Sequence, residues 1–308
     1  MLSTVFLALV PIALLIALGH ILRRHGFLPA SFWPEAERLS YFILLPALFA
    51  HGLGTADLGT VPLGSLVVAL ILPILGVAVL LVVAQRLIGF DGRAFTSVFQ
   101  GGIRFNNYVG ISAAAALFGP SAVGLAAVAN ATIVPTVNVL SVLAFAAYGE
   151  GRASVRGVMR GIATNPLILG CAAGLVLQTA GIALPPGIDG TLRALGQAAL
   201  PLGLLCVGAA LDWSALGRGK GPTLVASGAK FVILPLATVV TCLWLGLSGT
   251  TAMVAVLFQS LPTASSSYVM ARQLGGDAAL MAGIIAFQTL AAAVLLPLAL
   301  IGAKILFT

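Results

Sequence analysis

Charge is what this sequence has least of. Asp, Glu, Lys and Arg make up 7% of its 308 residues, against about 25% in soluble domains. That deficit excludes an ordinary water-soluble fold. Acidic residues are scarcest: Glu35, Glu37, Asp57, Asp91, Glu150, Asp189, Asp212 and Asp277 are the whole set. None is expected inside a membrane core. Histidine is limited to His20, His25 and His51, with no H-E-x-x-H pair, so a zinc-protease centre has no ligands. The cysteines, Cys171, Cys206 and Cys242, lie within apolar runs at no metal or redox spacing, and they read as small packing residues. Polar–apolar alternation is missing too, which excludes a transmembrane barrel.

What is present is hydrocarbon. Sixty per cent of the residues are hydrophobic and the mean hydropathy is +1.14. A membrane-spanning helix needs about 20 mostly apolar residues. Ten segments qualify: 3–23, 37–54, 63–86, 94–118, 121–148, 155–180, 191–211, 223–246, 249–273 and 278–306. The reading is an all-α polytopic membrane protein of ten transmembrane helices. The formal charge of +7 then reflects cytoplasmic loops, not nucleic acid. Connections after odd-numbered segments carry Arg23, Arg24, Arg38, Arg86, Arg93, Arg152, Arg156, Arg160, Arg218, Lys220 and Arg272, whereas the other side has only Arg193 and Lys304. The positive-inside rule puts the odd loops in the cytoplasm and both termini outside. The basic pair Arg23-Arg24 follows the first apolar run instead of preceding it, which suits an uncleaved first helix.

The two halves resemble one another. "GHILRRHGF" (Gly19–Phe27) aligns with "GLVLQTAGI" (Gly174–Ile182), Leu45-Pro46 with Leu200-Pro201, and Asp57 with Asp212, at one offset of 155 residues. Further along, "ILPIL" (Ile71–Leu75) answers "ILPLA" (Ile233–Ala237), Phe99-Gln100 answers Phe258-Gln259, and Tyr108-Val109 answers Tyr268-Val269. Two five-helix units in series have opposite topologies, so residues 1–148 and 152–308 read as inverted repeats, joined near Glu150 to Ser154.

Two segments carry polar residues at their centres. "FQGGIRFNNYVG" (Phe99–Gly110) places Arg104, Asn106 and Asn107 at mid-span, and "FQSLPTASSSYV" (Phe258–Val269) places Pro262 and a run of hydroxyls there. Pro262 breaks a helix, and Gly101 and Gly102 are expected to loosen the other. Unwound backbone at such depth must line a polar cavity or be buried in protein. New half-helices are expected to begin near Asn107 and Ser265, their N-termini favouring anions, with Arg104 adding a full positive charge. Arginine grips a carboxylate through two parallel hydrogen bonds. The substrate-binding candidates are therefore Arg104, Asn106, Asn107, Gln100, Thr263, Ser265 and Ser266, with Gln100 behind the others. The bland readings are that Arg104 caps freed carbonyls, that the asparagines satisfy unwound backbone, and that the hydroxyls only glue helices. Lys230 reads more readily as a snorkelling side chain. Asn130 and Gln288 could help ligate a coupling ion, and Gly157/Gly161 and Gly170/Gly174 read as close helix contacts.

These motifs carry a family resemblance. "LPALFAHGL" (Leu45–Leu53), "RFNNYVGISAAAALFG" (Arg104–Gly119) and "LPTASSSYVMARQLGGD" (Leu261–Asp277) are similar to the auxin efflux carrier family of bacterial and plant transporters. The resemblance implies a fold shared with bile-acid sodium symporters. Helices 1, 2, 6 and 7 would form a scaffold, and helices 3–5 and 8–10 a moving unit in which helices 4 and 9 cross. It also implies elevator-type alternating access, a dimer, a bacterial inner membrane and a substrate crossover at Asn106 or Asn107 and Pro262–Ser267. Pro46 and Pro201 would bend the scaffold. Two departures stand out: the central loop is short, and no proline lies between Gln100 and Gly110.

The function expected is secondary transport of a small organic anion such as a carboxylate, with no cofactor and no metal. A sodium-coupled symporter, which would have only Gln100, Asn130, Thr132 and Gln288 as neutral ligands, is the alternative within transport; a non-transporting sensor is a more distant one. "GLSG" (Gly246–Gly249) resembles the serine motif of rhomboid proteases, but that chemistry needs a histidine base on a partner helix. Ser248 is expected in an external turn, away from His20 and His51, so no enzyme is expected.

Overall fold

The computed structural model describes residues 2–56, 59, 61–149, 157, 160–161, 163–217 and 219–307. Asp57, Glu150, the joint at 151–156 and Arg218 lie outside them. The described residues contain helices and no strand. In chain order these are α1 (Leu2–Arg24), α2 (Phe32–Leu39), α3 (Leu45–Gly54), α4 (Leu63–Ile88), α5 (Gly92–Ile103), α6 (Asn107–Phe118), α7 (Ala122–Tyr148), α8 (Pro166–Thr179), α9 (Pro186–Ala209), α10 (Lys220–Gly228), α11 (Leu234–Trp244), α12 (Gly249–Gln259), α13 (Ser266–Gln273) and α14 (Ala278–Phe307).

Among the described residues, six helical stretches are long and apolar enough to cross a bilayer: Val5–Arg24, Leu63–Ile88, Ala122–Tyr148, Pro186–Ala209, Lys220–Trp244 and Ala278–Phe307. The chain is a multi-pass membrane protein. The other four apolar segments are not among these six, for identifiable reasons. The second contains Glu37, Arg38 and His51, which make it less apolar. The fourth and ninth are interrupted between α5 and α6 and between α12 and α13. The sixth begins among residues outside the description.

The π-turns have a common cause. One occupies Ser40–Leu44 just before Pro46, and the other Ala229–Ile233 just before Pro235. Proline lacks the N–H that would close the next α-turn, and its ring crowds the carbonyl four residues back. The backbone widens instead, so Leu45 N–H reaches Ser40 O and Leu234 N–H reaches Ala229 O. Pro201 behaves differently. It lies inside α9, which runs without interruption, and Pro73 does the same within α4. The prolines paired by sequence therefore do not deform their helices alike.

The helices pack into two groups. α1, α3, α8 and α9 lie mainly against one another, while α4, α5, α7, α10, α11, α12 and α14 form the larger cluster. Glycine makes the first group close. A Cβ on Gly170 would sit 2.7 Å from the Pro46 carbonyl oxygen, and one on Gly174 2.7 Å from Ala50 O. The close-contact reading of that pair holds. Gly161 departs from it, since nothing lies within 4 Å of a Cβ built there. In a bilayer, where lipid tails are as apolar as leucine, such small-residue contacts are a main source of helix association.

Gly170→Leu should lower thermal stability of the detergent-solubilised protein by several degrees or more, because the facing atoms are backbone and cannot yield; overpacking alone costs about 1–3 kcal/mol. Gly161→Ala should leave the melting temperature within about a degree of wild type, as expected for an open surface position. Size-exclusion melting curves of the two variants side by side check both.

Candidate functional site

The two interruptions meet. α5 ends at Ile103, Arg104 and Asn106 are extended, and α6 begins at Asn107. α12 ends at Gln259, residues 262–264 are non-helical, and α13 begins at Ser266. The Asn106 N–H donates to the Pro262 carbonyl at 2.8 Å, a main-chain hydrogen bond joining one break to the other. Gln288 of α14 ties both again. Its Oε1 accepts from the Thr263 N–H at 3.0 Å and its Nε2 donates to Gly101 O at 2.9 Å. Freed backbone groups at this depth need such partners.

The sequence reading laid the first break to Gly101, Gly102 and the asparagines together, and the structure separates them. Gly101 and Gly102 lie inside α5 and face its neighbours. A Cβ on Gly101 would meet Ile284 at 2.8 Å, and one on Gly102 would meet Leu81 at 2.7 Å. These glycines let helices pack closely, while the helix opens after Ile103. The stop is set by Asn106, whose side-chain Oδ1 accepts from the Val109 N–H at 3.3 Å and so caps the new helix.

Arg104 is 8% exposed. Its guanidinium donates to Asn138 Oδ1 at 2.8 Å and to Ser266 Oγ at 3.1 Å, and it lies 3.6 Å from Met270 Sδ. Its Nε has no partner, and among the described residues no carboxylate stands within salt-bridge distance. Arg104 lines a cavity of about 490 Å³ together with Glu37, Tyr41, Asn107, Asn138 and Ser266. The first residues of both half-helices, Asn107 and Ser266, thus share one wall with the arginine.

The remaining candidates are placed differently. Thr263 and Gln100 are fully buried and do not line the cavity. Thr263 Oγ1 bonds to Ser267 Oγ at 3.1 Å, and Gln100 Nε2 reaches Ser267 O at 3.5 Å, so both brace α13 from behind. Ser265 is the N-cap residue of α13 but makes no side-chain cap. Its hydroxyl instead donates to Glu37 Oε1 at 3.0 Å.

That last contact corrects an expectation. No acidic side chain was expected at the breaks, yet Glu37 reaches one. The helix carrying it begins at Phe32, so Glu37 sits more than a turn inside it. Asn138 was also missed. Its signal was an asparagine in an apolar run three residues past Pro135, at a depth where unpaired amides are costly. Lys230 proves not to snorkel: it is fully buried on a π-turn and its Nζ has no hydrogen-bond partner. Two of the histidines are engaged elsewhere, His20 with the Trp213 indole at 2.8 Å and His51 with Asp189 at 3.1 Å.

The sequence is similar to known membrane transport proteins. The family model described as membrane transport protein matches residues 148–300. A rice (Oryza sativa subsp. japonica) protein named probable auxin efflux carrier component 5b is 29% identical over 143 residues, which is 44% of this chain and 39% of the rice protein. An uncharacterized transporter of Methanothermobacter thermautotrophicus is 25% identical over 296 residues, 93% of this chain and 94% of its own length. The chain spans about two fifths of the plant relative and nearly all of the archaeal one. The sequence motifs fall on two helix interruptions that touch, and over this architecture the chain is similar to membrane transport proteins, an auxin efflux carrier component among them.

Proposed function

We propose that the protein is a secondary carrier of small organic anions, carboxylates foremost. One observation carries this reading. An almost fully buried arginine lies on the wall of a roughly 490 Å³ cavity beside the first residues of two half-helices, with no carboxylate among the described residues in salt-bridge contact. Burying a guanidinium unpaired in a membrane costs several kcal/mol, and a bound carboxylate would offset much of that. Helix N-termini add to the same preference.

The packing suits an elevator-type transport cycle. The ten apolar segments would form two inverted repeats, 1–148 and 152–308. The scaffold would contain α1, α3, α8 and α9, and the larger cluster would move against it, carrying the crossed breaks as one body in an elevator-type cycle. The glycine-rich closeness of the first group suits a fixed frame. The cavity's rim includes Pro34, Arg38 and Gln273, on the side where basic residues gather. With odd loops in the cytoplasm of a bacterial inner membrane and both termini outside, this is the inward-facing state. A homodimer joined through the scaffold fits the same scheme.

Sodium coupling has one point in its favour. Gln100 Oε1 and Asn130 Oδ1 are buried acceptors without partners, the kind of neutral oxygen that sodium takes. Uptake of labelled malate into proteoliposomes with and without a sodium gradient separates the readings; equal rates remove sodium.

A thermal-shift panel of acetate, malonate, succinate and malate on the purified protein should find stabilising anions. Arg104→Ala should weaken the best of them about 30-fold or more, the loss of about 2 kcal/mol expected when one partner of a buried charge pair is removed. If only neutral or cationic compounds stabilise the protein, the anion reading falls. Orientation is checked separately. The native cysteines are buried, so single cysteines at Arg193 and Arg24 should report cleanly. In right-side-out vesicles an impermeant maleimide should label the first and spare the second.

A further inference from the structure

Glu37 shares the cavity wall with Arg104. Among the described residues it is the one acidic side chain there, and it takes the Ser265 hydroxyl at 3.0 Å. That hydroxyl sits at the N-cap position of α13 and makes no cap of its own. The next residue, Ser266, accepts from Arg104 at 3.1 Å. The donor set at the start of this half-helix is therefore divided already: one hydroxyl faces a carboxylate of the protein, and the other faces the cation. Glu37 lies on α2, ahead of α3 in the first packing group, whereas Ser265 lies at the break of the second, so the bond spans the two groups.

We propose that Glu37 is the proton-coupling residue, and that the protein carries a small carboxylate together with a proton. The proposal rests on the anion-carrier reading above. An arriving carboxylate needs Arg104 and the hydroxyls at the start of α13. Two negative charges sharing one small cavity between low-dielectric walls repel, so the pair is favoured when one is neutral. Glu37 takes a proton from cytoplasmic water and becomes a carboxylic acid. It then no longer competes as an anion, and Ser265 Oγ turns its hydrogen to the substrate. Departure of the substrate restores the Glu37–Ser265 bond and returns the proton to the side on which the substrate leaves. Anion and proton thus favour each other's binding by the same factor.

The neighbours of Glu37 leave it alone in this role. The other charged groups on the same cavity wall are the cations Arg104 and Arg38. Tyr41 follows on the π-turn, Tyr108 faces Glu37 from α6 and Cys206 from α9. Phenols and thiols ordinarily titrate above pH 8. Glu35 pairs loosely with Arg38 at 3.9 Å on the exposed face. No histidine lines the cavity.

Isothermal titration tests the linkage with acetate, malonate, succinate and malate. It is run from pH 7 to 8.5, where these probes are almost entirely ionised, in two buffers of different ionisation enthalpy. Wild type should take up close to one proton per anion, and its affinity should weaken up to about tenfold per pH unit, the limit for one linked proton. Glu37→Gln should bind the same anion with no proton uptake and a flat pH profile. Glu37→Asp should keep the uptake, and Ser265→Ala should keep it with weaker anion binding, so neither a folding defect nor general damage can imitate the pattern. Anion binding without proton uptake in wild type, or an unchanged pH slope in Glu37→Gln, overturns the coupling while leaving the anion reading intact. No binding of any probe overturns both, starting with the anion reading.

Discussion

The fold is organised around a main-chain hydrogen bond between Asn106 and Pro262. Interrupting a helix inside a membrane strands N–H and C=O groups where no water is assured. Here each interruption supplies what the other lacks. The Asn106 N–H needs an acceptor, and the carbonyl of Pro262 has lost its helical partner. Gln288 repeats the exchange with its amide, joining Thr263 to Gly101. Once the backbone is satisfied in this way, Arg104, Asn107 and Ser266 can point elsewhere, and they point into the cavity. The polar site depends on this pairing more than on any side chain within it.

Much of this was legible in the sequence, and the reasons are physical. Apolar length gives the spanning helices. Two polar centres in otherwise greasy segments mark the interruptions, because no other arrangement makes such residues tolerable in hydrocarbon. The start of α6 at Asn107 and of α13 at Ser266 follows from Asn106 as a cap and Pro262 as a breaker. What the sequence concealed was direction. Nothing along the chain says that Gly101 and Gly102 serve packing while Asn106 opens the helix, since both readings use small or capping residues at the same place. Nor does one-dimensional spacing show that Glu37, more than sixty residues from Arg104, reaches the same cavity.

The motifs matched along the sequence end up in only partly similar surroundings. Phe99-Gln100 and Phe258-Gln259 both lie near the end of a helix that precedes an interruption. Their glutamines nevertheless differ: Gln100 reaches Ser267 O on α13, and Gln259 reaches Leu70 O on α4. The matched prolines 46 and 201 diverge further, one following a π-turn and the other sitting in an unbroken helix.

The widened turn at Ser40–Leu44 has a consequence for how this helix could evolve. It accommodates one surplus residue between Glu37 and Pro46. A π-turn spends one more residue on a revolution than an α-turn does, so removing that residue would return the backbone to ordinary α geometry with the parts on either side in nearly their present facing. Glu37 and the seam formed by Pro46, Ala50 and their glycine partners would keep their places. The widened turn therefore lets this helix gain or lose one codon without hiding the acid from the cavity.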